Sequence, residues 1–477
     1  MASVAVPISR TPLRGLAASL PARFGTGLSP CMTNGLRFSS TFVAGARRAR
    51  PTAELGRRRR ETAWTRGFKH DVKVGGSGRK PPSFAFAFDI DGVLLHVAKP
   101  IPGATRVLKF LNDYNIPFIL LTNGGGKHET ERVKDLEARL GVQLSTDNFV
   151  QSHTPFQELL EGPNSLRDKT VLVTGSDYEK CRSIFKEYGF KNVITPADIY
   201  AADPTIFPFQ PAASFTTPSQ PLPKPLYSHP GPPNPTHLPS HLQIHAIFVL
   251  NDPRDWALDI QIITDLLLSH AGYLGTYSPL NNTPHLPDRG WQRDGQPALY
   301  FSNADLLWSA GYHLPRLGQG AFQAAVAGLW KRVTGGEGLK RGCIGKPYRE
   351  TYRFAERVLA GHRREVVRAM GGAAGVSGGG ESGGGDSGDS GVGALERVYM
   401  VGDNPESDIA GANGYVSEEG TEWVSVLVKT GVWSEERGGK LEGVFKPKEV
   451  VGDVMGAVKW ALKREGWDQE GKGKELD

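Results

Sequence analysis

The most constraining feature of the sequence is a short apolar run that ends in two carboxylates. Residues 84–95 read FAFAFDIDGVLL, so Asp89 and Asp91 follow directly on a run of Phe and Ala. A continuous apolar run of this kind suits a parallel sheet covered on both faces, where an ionised side chain is costly. Asp89 and Asp91 are therefore expected at the carboxyl end of the strand, which is the edge where open α/β sheets bind ligands.

Strand and helix patterns alternate along the chain after residue 83. Apolar strands are predicted at 84–88, 116–121, 170–176, 245–251, 297–303 and 397–403, with amphipathic segments between them. This alternation predicts parallel sheets with right-handed crossovers. The order of the elements indicates an α/β protein with a Rossmann-like core at 84–153 and 309–465, interrupted by an inserted α/β module at 154–308.

Two segments of biased composition lie inside these units. Residues 204–241 are rich in proline, which a helix or an interior strand does not tolerate. Residues 371–394 consist mainly of Gly and Ser, as flexible linkers do. We expect the first to be a disordered insert in the inserted module and the second a disordered insert in the core.

The positive charge of the chain is concentrated at its start. Residues 1–60 hold eleven Arg and one acid, a charge of +10 against −4 for the remainder, so a basic patch for nucleic acid is not indicated. An Arg-rich, acid-poor leader over residues 1–75 is typical of a mitochondrial targeting segment, and a plain disordered basic tail is the alternative. The scarcity of Cys fits a reducing compartment such as the matrix or the cytosol, and no apolar stretch is long enough to span a membrane.

Polar residues at the predicted strand ends offer the groups that phosphoryl transfer needs. Asp89 can act as the nucleophile, and Asp91 can protonate the leaving group and later deprotonate water. Thr122 and Asn123 end the second strand before three glycines, where a hydroxyl and backbone N–H groups can hold phosphate. Taken singly, each of these residues is also explained as a turn or a helix cap.

The second half of the chain supplies a cation and more carboxylates. Lys346, in the string IGKP, offers a positive charge for the nucleophile and the phosphoryl group. Asp403 ends a predicted strand, and Asp408 follows five residues later in the string GDNPESD, where both could hold Mg²⁺ or orient its water. The four signals are the residues after the first strand, those after the second strand, Lys346, and Asp403 with Asp408. They occur along the chain in the order expected of one phosphoryl-transfer site, which chance does not readily explain.

These motifs resemble those of the haloacid-dehalogenase-like hydrolases: DIDGV, LLTN, the Lys of GKP, and GDNPESD. The inserted module resembles the class IIA (C2-type) cap of that superfamily. Further strings, NDPRDWALDIQII and PRLGQGAF among them, are similar to the mitochondrial cat-eye-syndrome-critical-region-protein-5-like hydrolases. The sequence departs from the family at Val93, where many members have Thr, and at Ala304, where related sequences tend to have Pro.

The resemblance implies a role for each matched residue. Asp89 would be nucleophile and Mg²⁺ ligand, Asp91 acid/base and ligand through its backbone carbonyl, and Asp403 a further ligand. By the same resemblance, two residues would bind the phosphoryl group and one would support the metal site: Thr122, Lys346 and Asp408.

The sequence thus predicts a Mg²⁺-dependent phosphomonoester hydrolase that acts on a small phosphorylated metabolite. A catalytically silent binding or regulatory protein of the same fold is the alternative, and a phosphotransferase or mutase is a third possibility. Cap loops are expected to select the leaving group, with candidates in the string NDPRD: Asn251, Asp252, Arg254 and Asp255. A strand-end turn followed by a helix N-cap explains the same residues. The sequence carries no signal for an oligomeric state.

Overall fold

The computed structural model describes residues 82–209, 218–229, 231–308, 312, 314–372, 395–435, 441–467 and 476. Its strands are β1 (Phe84–Phe88), β2 (Leu95–His96), β3 (Lys99–Pro100), β4 (Phe118–Leu121), β5 (Phe149–Val150), β6 (Thr170–Thr174), β7 (Asn192–Ile194), β8 (Ala246–Val249), β9 (Ala298–Phe301), β10 (Leu307–Trp308), β11 (Arg316–Leu317), β12 (Gly342–Cys343), β13 (Arg397–Gly402), β14 (Glu422–Val428) and β15 (Glu449–Val451). Its helices are α1 (Ala104–Asp113), α2 (Glu129–Leu140), α3 (Tyr178–Tyr188), α4 (Pro196–Ala202), α5 (Trp256–Leu268), α6 (Gln319–Val333), α7 (Arg349–Gly372), α8 (Ala410–Gly414) and α9 (Val454–Arg464).

The core sheet consists of six parallel strands in the order β15-β14-β13-β1-β4-β5. The apolar run that opens the described chain is therefore the central strand β1, between β13 and β4. Strands from before and after the inserted module pair side by side in this sheet, since β13 lies next to β1. The parallel order confirms the predicted Rossmann-like α/β fold class.

The alternation of Phe and Ala in β1 reflects two differently packed faces of the sheet. Phe84, Phe86 and Phe88 point to one face and pack with residues of α1, α2 and α9. Ala85 and Ala87 point to the other face, where their small side chains admit α7. Successive strand residues face opposite sides, and all five are at most 2% exposed. A charged group can therefore follow β1 only beyond its end.

The inserted module is built on a second parallel sheet with the order β12-β9-β8-β6-β7. One face carries a cluster of buried or partly buried aromatic side chains: Phe156, Phe185, Phe190, Phe248 and Tyr300. Helices α5 and α6 contact each other through the rings of Trp256 and Phe322, whose centroids are 5.4 Å apart. The insert therefore has a hydrophobic core of its own, and we call it the cap.

The cap extends further along the chain than the sequence predicts. β12 pairs with β9 of the cap, and Ile344 packs into the aromatic cluster. On α6, the ring of Phe322 lies 6.4 Å from that of Phe301 in β9. The structure thus moves the expected boundary from residue 309 to Gly345. A two-residue strand such as β12 carries no periodic signal, which explains the difference.

The described part of the proline-rich segment 204–241 packs against the cap. Tyr227 and Leu238 are buried, and the backbone N–H of Leu242 donates to Pro225 O at 2.9 Å. This part lacks long helices and strands, as expected, but it is not the disordered loop that the composition suggests. Other segments with a sequence-based expectation lie outside the described residues: 1–81, 210–217, 230 and 373–394.

A short antiparallel ribbon follows β9. β10 and β11 pair with Leu307 opposite Leu317 and Trp308 opposite Arg316. Among the described residues, no helix combines the length and the hydropathy required to cross a membrane.

Candidate active site

Three neighbouring strands deliver polar side chains to one edge of the core sheet. β1 is followed by Asp89, β4 by Thr122 and Asn123, and β13 by Asp403. Because β13, β1 and β4 are adjacent and parallel, their carboxyl ends meet at that edge. Stretches that are far apart in the sequence therefore form a single cluster.

The centre of this cluster is a buried arrangement of charges. Lys346 Nζ donates to Asp89 Oδ1 at 2.7 Å and lies 2.7 Å from Asp408 Oδ1. Carboxylate oxygens of Asp89, Asp403 and Asp408 lie within 4.8 Å of one another. All four residues are buried. The structure thus brings together four of the predicted site residues, drawn from both halves of the core.

Backbone amides and a glycine hold two of these carboxylates in place. Asp408 Oδ2 accepts hydrogen bonds from the backbone N–H groups of Asp403 at 3.1 Å and Asn404 at 3.0 Å. Asp403 Oδ2 accepts from Val432 N at 2.6 Å. A Cβ at Gly431 would lie 1.9 Å from the same oxygen. The loop after β14 therefore wraps around Asp403 more closely than any other residue type at position 431 would permit.

Negative charge exceeds positive charge in the cluster. Burial, together with the Asp89 and Asp408 carboxylates, raises the pKa of Asp403 well above its usual range. Burial also raises the pKa of Asp408 to about 6, although the Lys346 ammonium opposes the rise. One ammonium cannot balance three carboxylates, whereas a hard divalent cation with oxygen ligands can. The donor set, with oxygens from three buried Asp within 4.8 Å, fits Mg²⁺.

Asp91 stands at the rim of the cluster. Its side chain is 67% exposed, and its Oδ2 lies 4.0 Å from Nη2 of Arg132 on α2. The Asp91 carboxylate is not part of the group of oxygens within 4.8 Å. Gly92 turns the backbone here with φ of 90°, and a Cβ on it would lie 2.5 Å from Asp403 Oδ2. Sequence reasoning missed Arg132, because a surface helix offers many arginines of equal appearance.

Asn123 connects the loop that carries Lys346 to Asp305 of the cap. Its Oδ1 accepts from Lys346 N at 2.7 Å, and its Nδ2 donates to Lys346 O at 2.9 Å. The same Nδ2 lies 3.1 Å from each carboxylate oxygen of Asp305. The Asn123 side chain therefore positions Lys346. A direct contact between Asn123 and phosphate would have to be made by its backbone, because its side chain already has these partners. The neighbouring Thr122 Oγ1 accepts from Gly124 N at 2.9 Å.

The cap contributes Asp305, to which sequence reasoning gave no role. Burial raises the pKa of Asp305 to about 7, although the Lys346 ammonium opposes the rise. Asn303, two residues earlier, donates from Nδ2 to Asn123 O at 3.2 Å. A signal existed in the string FSNAD, which places an acid just after a strand, as in β1 and β13. Its partner Asn123 belongs to another domain, and no local pattern reveals such a pair.

Asn251, one of the candidates in the string NDPRD, lies against the loop that follows β4 of the core. Asn251 is held by Ser176, whose Oγ accepts from Asn251 Nδ2 at 2.8 Å and whose N–H donates to Asn251 Oδ1 at 2.7 Å. A Cβ at Gly126, in the loop after β4, would lie 2.1 Å from Asn251 Nδ2. Asp255, by contrast, caps α5 by accepting from Leu258 N at 3.0 Å. The side-chain amide of Asn251 thus contacts the loop after β4, which we call the glycine loop (residues 124–126). Asp255 serves as a helix cap.

Two parts of the chain match family models of hydrolases. Residues 86–191 match the family described as haloacid dehalogenase-like hydrolase, and residues 343–457 match a model described as HAD-hydrolase-like. Together these parts contain Asp89, Thr122, Lys346, Asp403 and Asp408. Both halves of the core are therefore covered.

Individual proteins that are similar in sequence to this chain match it over a longer stretch than the family models do. A mitochondrial hydrolase of Saccharomyces cerevisiae is 38% identical over 382 residues, which cover 80% of this chain and 96% of that protein. A cardiolipin synthase and mitochondrial hydrolase fusion protein of Schizosaccharomyces pombe is 37% identical over 381 residues, and this chain spans only 53% of its length. Among solved structures, a p-nitrophenyl phosphatase from Archaeoglobus fulgidus aligns with 80% of this chain and 100% of its own, with 16% identity and a TM-score of 0.45.

The identity to the Saccharomyces cerevisiae hydrolase runs through almost all of that protein, and the family models cover both halves of the core sheet. The strand-end carboxylates and the buried lysine lie within these matched parts. On these findings, the chain belongs to the haloacid dehalogenase-like hydrolase family.

Proposed function

We propose that the protein is a Mg²⁺-dependent phosphomonoester phosphatase, which hydrolyses a small phosphorylated metabolite through an aspartyl-phosphate on Asp89. The observation that carries this proposal is the 2.7 Å contact of Lys346 Nζ with Asp89 Oδ1, inside a group of three carboxylates with oxygens within 4.8 Å. Attack of a carboxylate on a phosphate requires nearby positive charge, because both partners are anions.

In the first step, an Asp89 oxygen bonds to phosphorus while the bond from phosphorus to the leaving oxygen breaks. Asp91 gives its proton to that oxygen, so that the leaving group departs as an alcohol. The Lys346 ammonium, the Thr122 hydroxyl and backbone N–H groups of the glycine loop hold the phosphoryl oxygens. The products of this step are an alcohol and phosphorylated Asp89.

In the second step, water attacks phosphorus and the bond to Asp89 breaks. Asp91, now ionised, takes the proton of the attacking water, so inorganic phosphate leaves and the starting enzyme is restored. The 67% exposure of the Asp91 side chain suits this double task, because it must meet first the leaving group and then water.

The residues that would hold Mg²⁺ are Asp89, Asp403 and Asp408, with the backbone carbonyl of Asp91. When bound, the cation would neutralise part of the charge on the transferring phosphoryl group. This assignment is supported by the raised pKa of Asp403, which burial and two neighbouring carboxylates produce.

The test is release of inorganic phosphate from a panel of phosphorylated metabolites by the full-length protein with Mg²⁺. Asp89→Asn keeps the size of the side chain but removes the nucleophile, and we expect a loss of about a thousandfold or more in kcat. Asp168→Asn is the matched control, because the Asp168 side chain forms an exposed ion pair with Lys191 in the cap; its activity should equal that of the wild type.

Each other outcome points to a different conclusion. Turnover that persists in Asp89→Asn would refute the assigned nucleophile. Absence of turnover with every compound, by a folded wild-type protein that binds Mg²⁺, would favour the catalytically silent binding or regulatory protein. Preferential transfer of phosphate to an added alcohol rather than to water would identify a phosphotransferase.

We also propose that the protein is imported into the mitochondrial matrix. The support is the acid-poor, Arg-rich composition of residues 1–75, and two relatives that are named as mitochondrial. A fluorescent reporter fused to residues 1–75 should enter mitochondria, and a reporter in which the arginines of this segment are replaced by Gln should not. Retention of the first reporter in the cytosol would refute the assignment.

A further inference from the structure

Three histidines gather on the described part of the proline-rich segment 204–241. Of the 12 histidines in the chain, His229, His237 and His241 fall close together in the sequence, and we call them the histidine cluster. The ring centroids of His229 and His237 lie 4.9 Å apart, and those of His229 and His241 lie 5.5 Å apart. His229 and His237 are exposed, and His241 is partly buried. The cluster shares no residue with the candidate active site.

The separations of these rings match those of imidazoles that bind one metal ion. A bond from Zn²⁺ to a histidine nitrogen is about 2.0–2.1 Å long, so the centroids of two rings in a tetrahedral site lie about 5 Å apart. His237 and His241 are also four residues apart in the sequence, a spacing at which two histidines can reach the same ion across one helical turn. A short 3₁₀ turn, Leu238–Ser240, lies between them.

The ring of His241 is oriented like that of a metal-binding histidine. Its Nδ1 lies 2.8 Å from the backbone carbonyl oxygen of His237. Because a carbonyl oxygen can only accept, Nδ1 carries the proton, and the lone pair of the neutral ring is on Nε2. Metal-bound histidines commonly donate their other ring N–H to a carbonyl in this way, which fixes the tautomer and the orientation of the ring. Nε2 of His241 is therefore available to a metal ion.

The backbone that carries the cluster is anchored to buried side chains. Tyr227 is 3% exposed, and its ring lies 5.3 Å from that of His229 and 5.1 Å from that of His241. The Tyr227 hydroxyl accepts a hydrogen bond from Asn234 N at 3.2 Å. Leu238, in the turn before His241, is buried as well. The histidines thus meet on a supported surface of the cap.

We propose that the histidine cluster binds a divalent transition-metal ion such as Zn²⁺ through one nitrogen of each ring. Imidazole nitrogens suit Zn²⁺, whereas the carboxylates around Lys346 suit Mg²⁺. The ion would join His229 to the two histidines that follow the intervening turn, and would thereby fasten this part of the proline-rich segment. The proposal does not depend on the proposed phosphatase activity.

Binding requires two of the rings to turn. Among the described residues, the three Asp of the active site are the only group of three His, Cys, Asp or Glu with ligand atoms within 4.8 Å of one another. His229 and His237 must therefore rotate until one nitrogen of each faces the ion beside Nε2 of His241. Both rings are exposed, and exposed side chains change rotamer within nanoseconds.

The first experiment titrates Zn²⁺ into full-length protein saturated with MgCl₂, in competition with a chromophoric chelator. His229→Gln and His237→Gln each remove one exposed imidazole, and each should weaken Zn²⁺ binding by about tenfold or more. His285→Gln is the matched control, because His285 is an exposed histidine of the cap outside the cluster; it should bind Zn²⁺ as the wild type does. Without Zn²⁺, all variants should unfold at the wild-type temperature.

A second experiment identifies the ligands with Co²⁺ in place of Zn²⁺. Tetrahedral Co²⁺ with nitrogen ligands absorbs visible light far more strongly than octahedral Co²⁺ with oxygen ligands. We expect the strong visible band in the wild type and in His285→Gln, and its loss in His229→Gln. The band therefore separates the histidine cluster from binding of the same ion by the carboxylates of the active site.

Any of three results would overturn the proposal. One is equal affinity and stoichiometry for Zn²⁺ in the wild type, His229→Gln and His237→Gln, which would leave the rings as packing partners of Tyr227. Another is an equal loss of affinity in His285→Gln, which would indicate unspecific binding by surface histidines. The last is a weak, octahedral Co²⁺ spectrum in the wild type, which would assign the bound ion to carboxylates.

Discussion

At the scale of single residues, the ammonium of the site attracts its neighbouring carboxylates, while the carboxylates repel one another. The Lys346 ammonium lies 2.7 Å from a carboxylate oxygen on each of two sides, Asp89 and Asp408. Asp403 adds a third negative charge to the same buried group. A protein that keeps such an excess of negative charge in its interior gives up stability in the absence of a cation.

Replacement of Asp403 by Asn should therefore have opposite effects on stability and on metal binding. Asn removes one of the repelling charges and keeps an oxygen that can accept from Val432 N. We expect the free energy of unfolding of the metal-free protein to rise by about 1 kcal/mol, and the increase in melting temperature with millimolar MgCl₂ to disappear. Thermal unfolding with MgCl₂ and with a chelator measures both effects.

Asp168→Asn serves as the control for this substitution, because it removes an exposed carboxylate of the cap. The control should keep the full response to MgCl₂. A wild-type response retained by Asp403→Asn would contradict the assignment of Asp403 to the cation site.

At the same scale, the stability of the protein should depend on pH through His153, which lies outside the group of Asp89, Asp403 and Asp408. His153 is fully buried, with Nδ1 2.7 Å from the Tyr188 hydroxyl and Nε2 3.3 Å from Gly126 N. Burial lowers its pKa to about 4, from 6.5. Between these values the unfolded chain binds a proton that the folded chain excludes, so stability is lost as the pH falls through this window.

The loss should be roughly 1.4 kcal/mol per pH unit, or about 3 kcal/mol across the window. His153→Gln does not titrate, and its unfolding free energy should fall less steeply between pH 6.5 and 4. Denaturant titrations at several pH values compare the two proteins. Parallel curves for wild type and variant would contradict the expected contribution of His153.

At the scale of elements, the loop after β14 completes the proposed cation site. Its Val432 N–H binds Asp403 Oδ2, Trp433 N donates to Asp403 O at 3.2 Å, and Thr430 Oγ1 donates to Gly92 O at 2.5 Å. The loop thus joins the ends of β1, β13 and β14. Its shape, as much as any ligand, determines where the Asp403 carboxylate points.

Gly431→Ala should weaken Mg²⁺ binding by about tenfold or more, as changes to groups that orient metal ligands do. The added Cβ would lie 1.9 Å from Asp403 Oδ2 and would push the carboxylate away. Gly452→Ala is the matched control, since a Cβ at Gly452 meets nothing within 4 Å. Isothermal titration calorimetry with MgCl₂ compares the variants, and equal affinities would contradict the steric argument.

The elements also show which parts of this structure local sequence can predict. β1, β4 and β13 are apolar runs followed at once by polar residues, so both the strands and the edge that carries Asp89, Thr122 and Asp403 follow from pattern and topology rules. β12 was missed because Gly and Cys pair with β9 only through tertiary context. Asp305 was missed for a related reason, since its contact with Asn123 joins residues 182 positions apart.

At the scale of the whole molecule, two hydrophobic cores share one chain. The core sheet packs around β1, whereas the cap packs around the aromatic cluster with Phe248. Contacts between the two units at the site are polar, through Asn123, Asp305 and Asn251. Polar contacts add less cooperativity than shared apolar packing, so we expect the cap to lose structure separately from the core.

Phe248→Ala tests this separation. Phe248 is fully buried, and its ring lies 4.9 Å from those of Phe156 and Phe185. Its removal should destabilise the cap by roughly 3–5 kcal/mol. Hydrogen exchange followed by mass spectrometry should show faster exchange in β6, β8 and β9, with β1 and β13 still protected. Faster exchange of both sheets to the same extent would contradict two separate units.

The point at which the chain returns from the cap to the core has a mechanical consequence. β12 still belongs to the cap sheet, and Lys346 follows it after only two residues. If the cap rotates as a rigid body, residues near its attachment to the core move least. A tilt of the cap about this point would therefore displace its outer rim far more than it would displace Lys346, and the amine would stay beside Asp89.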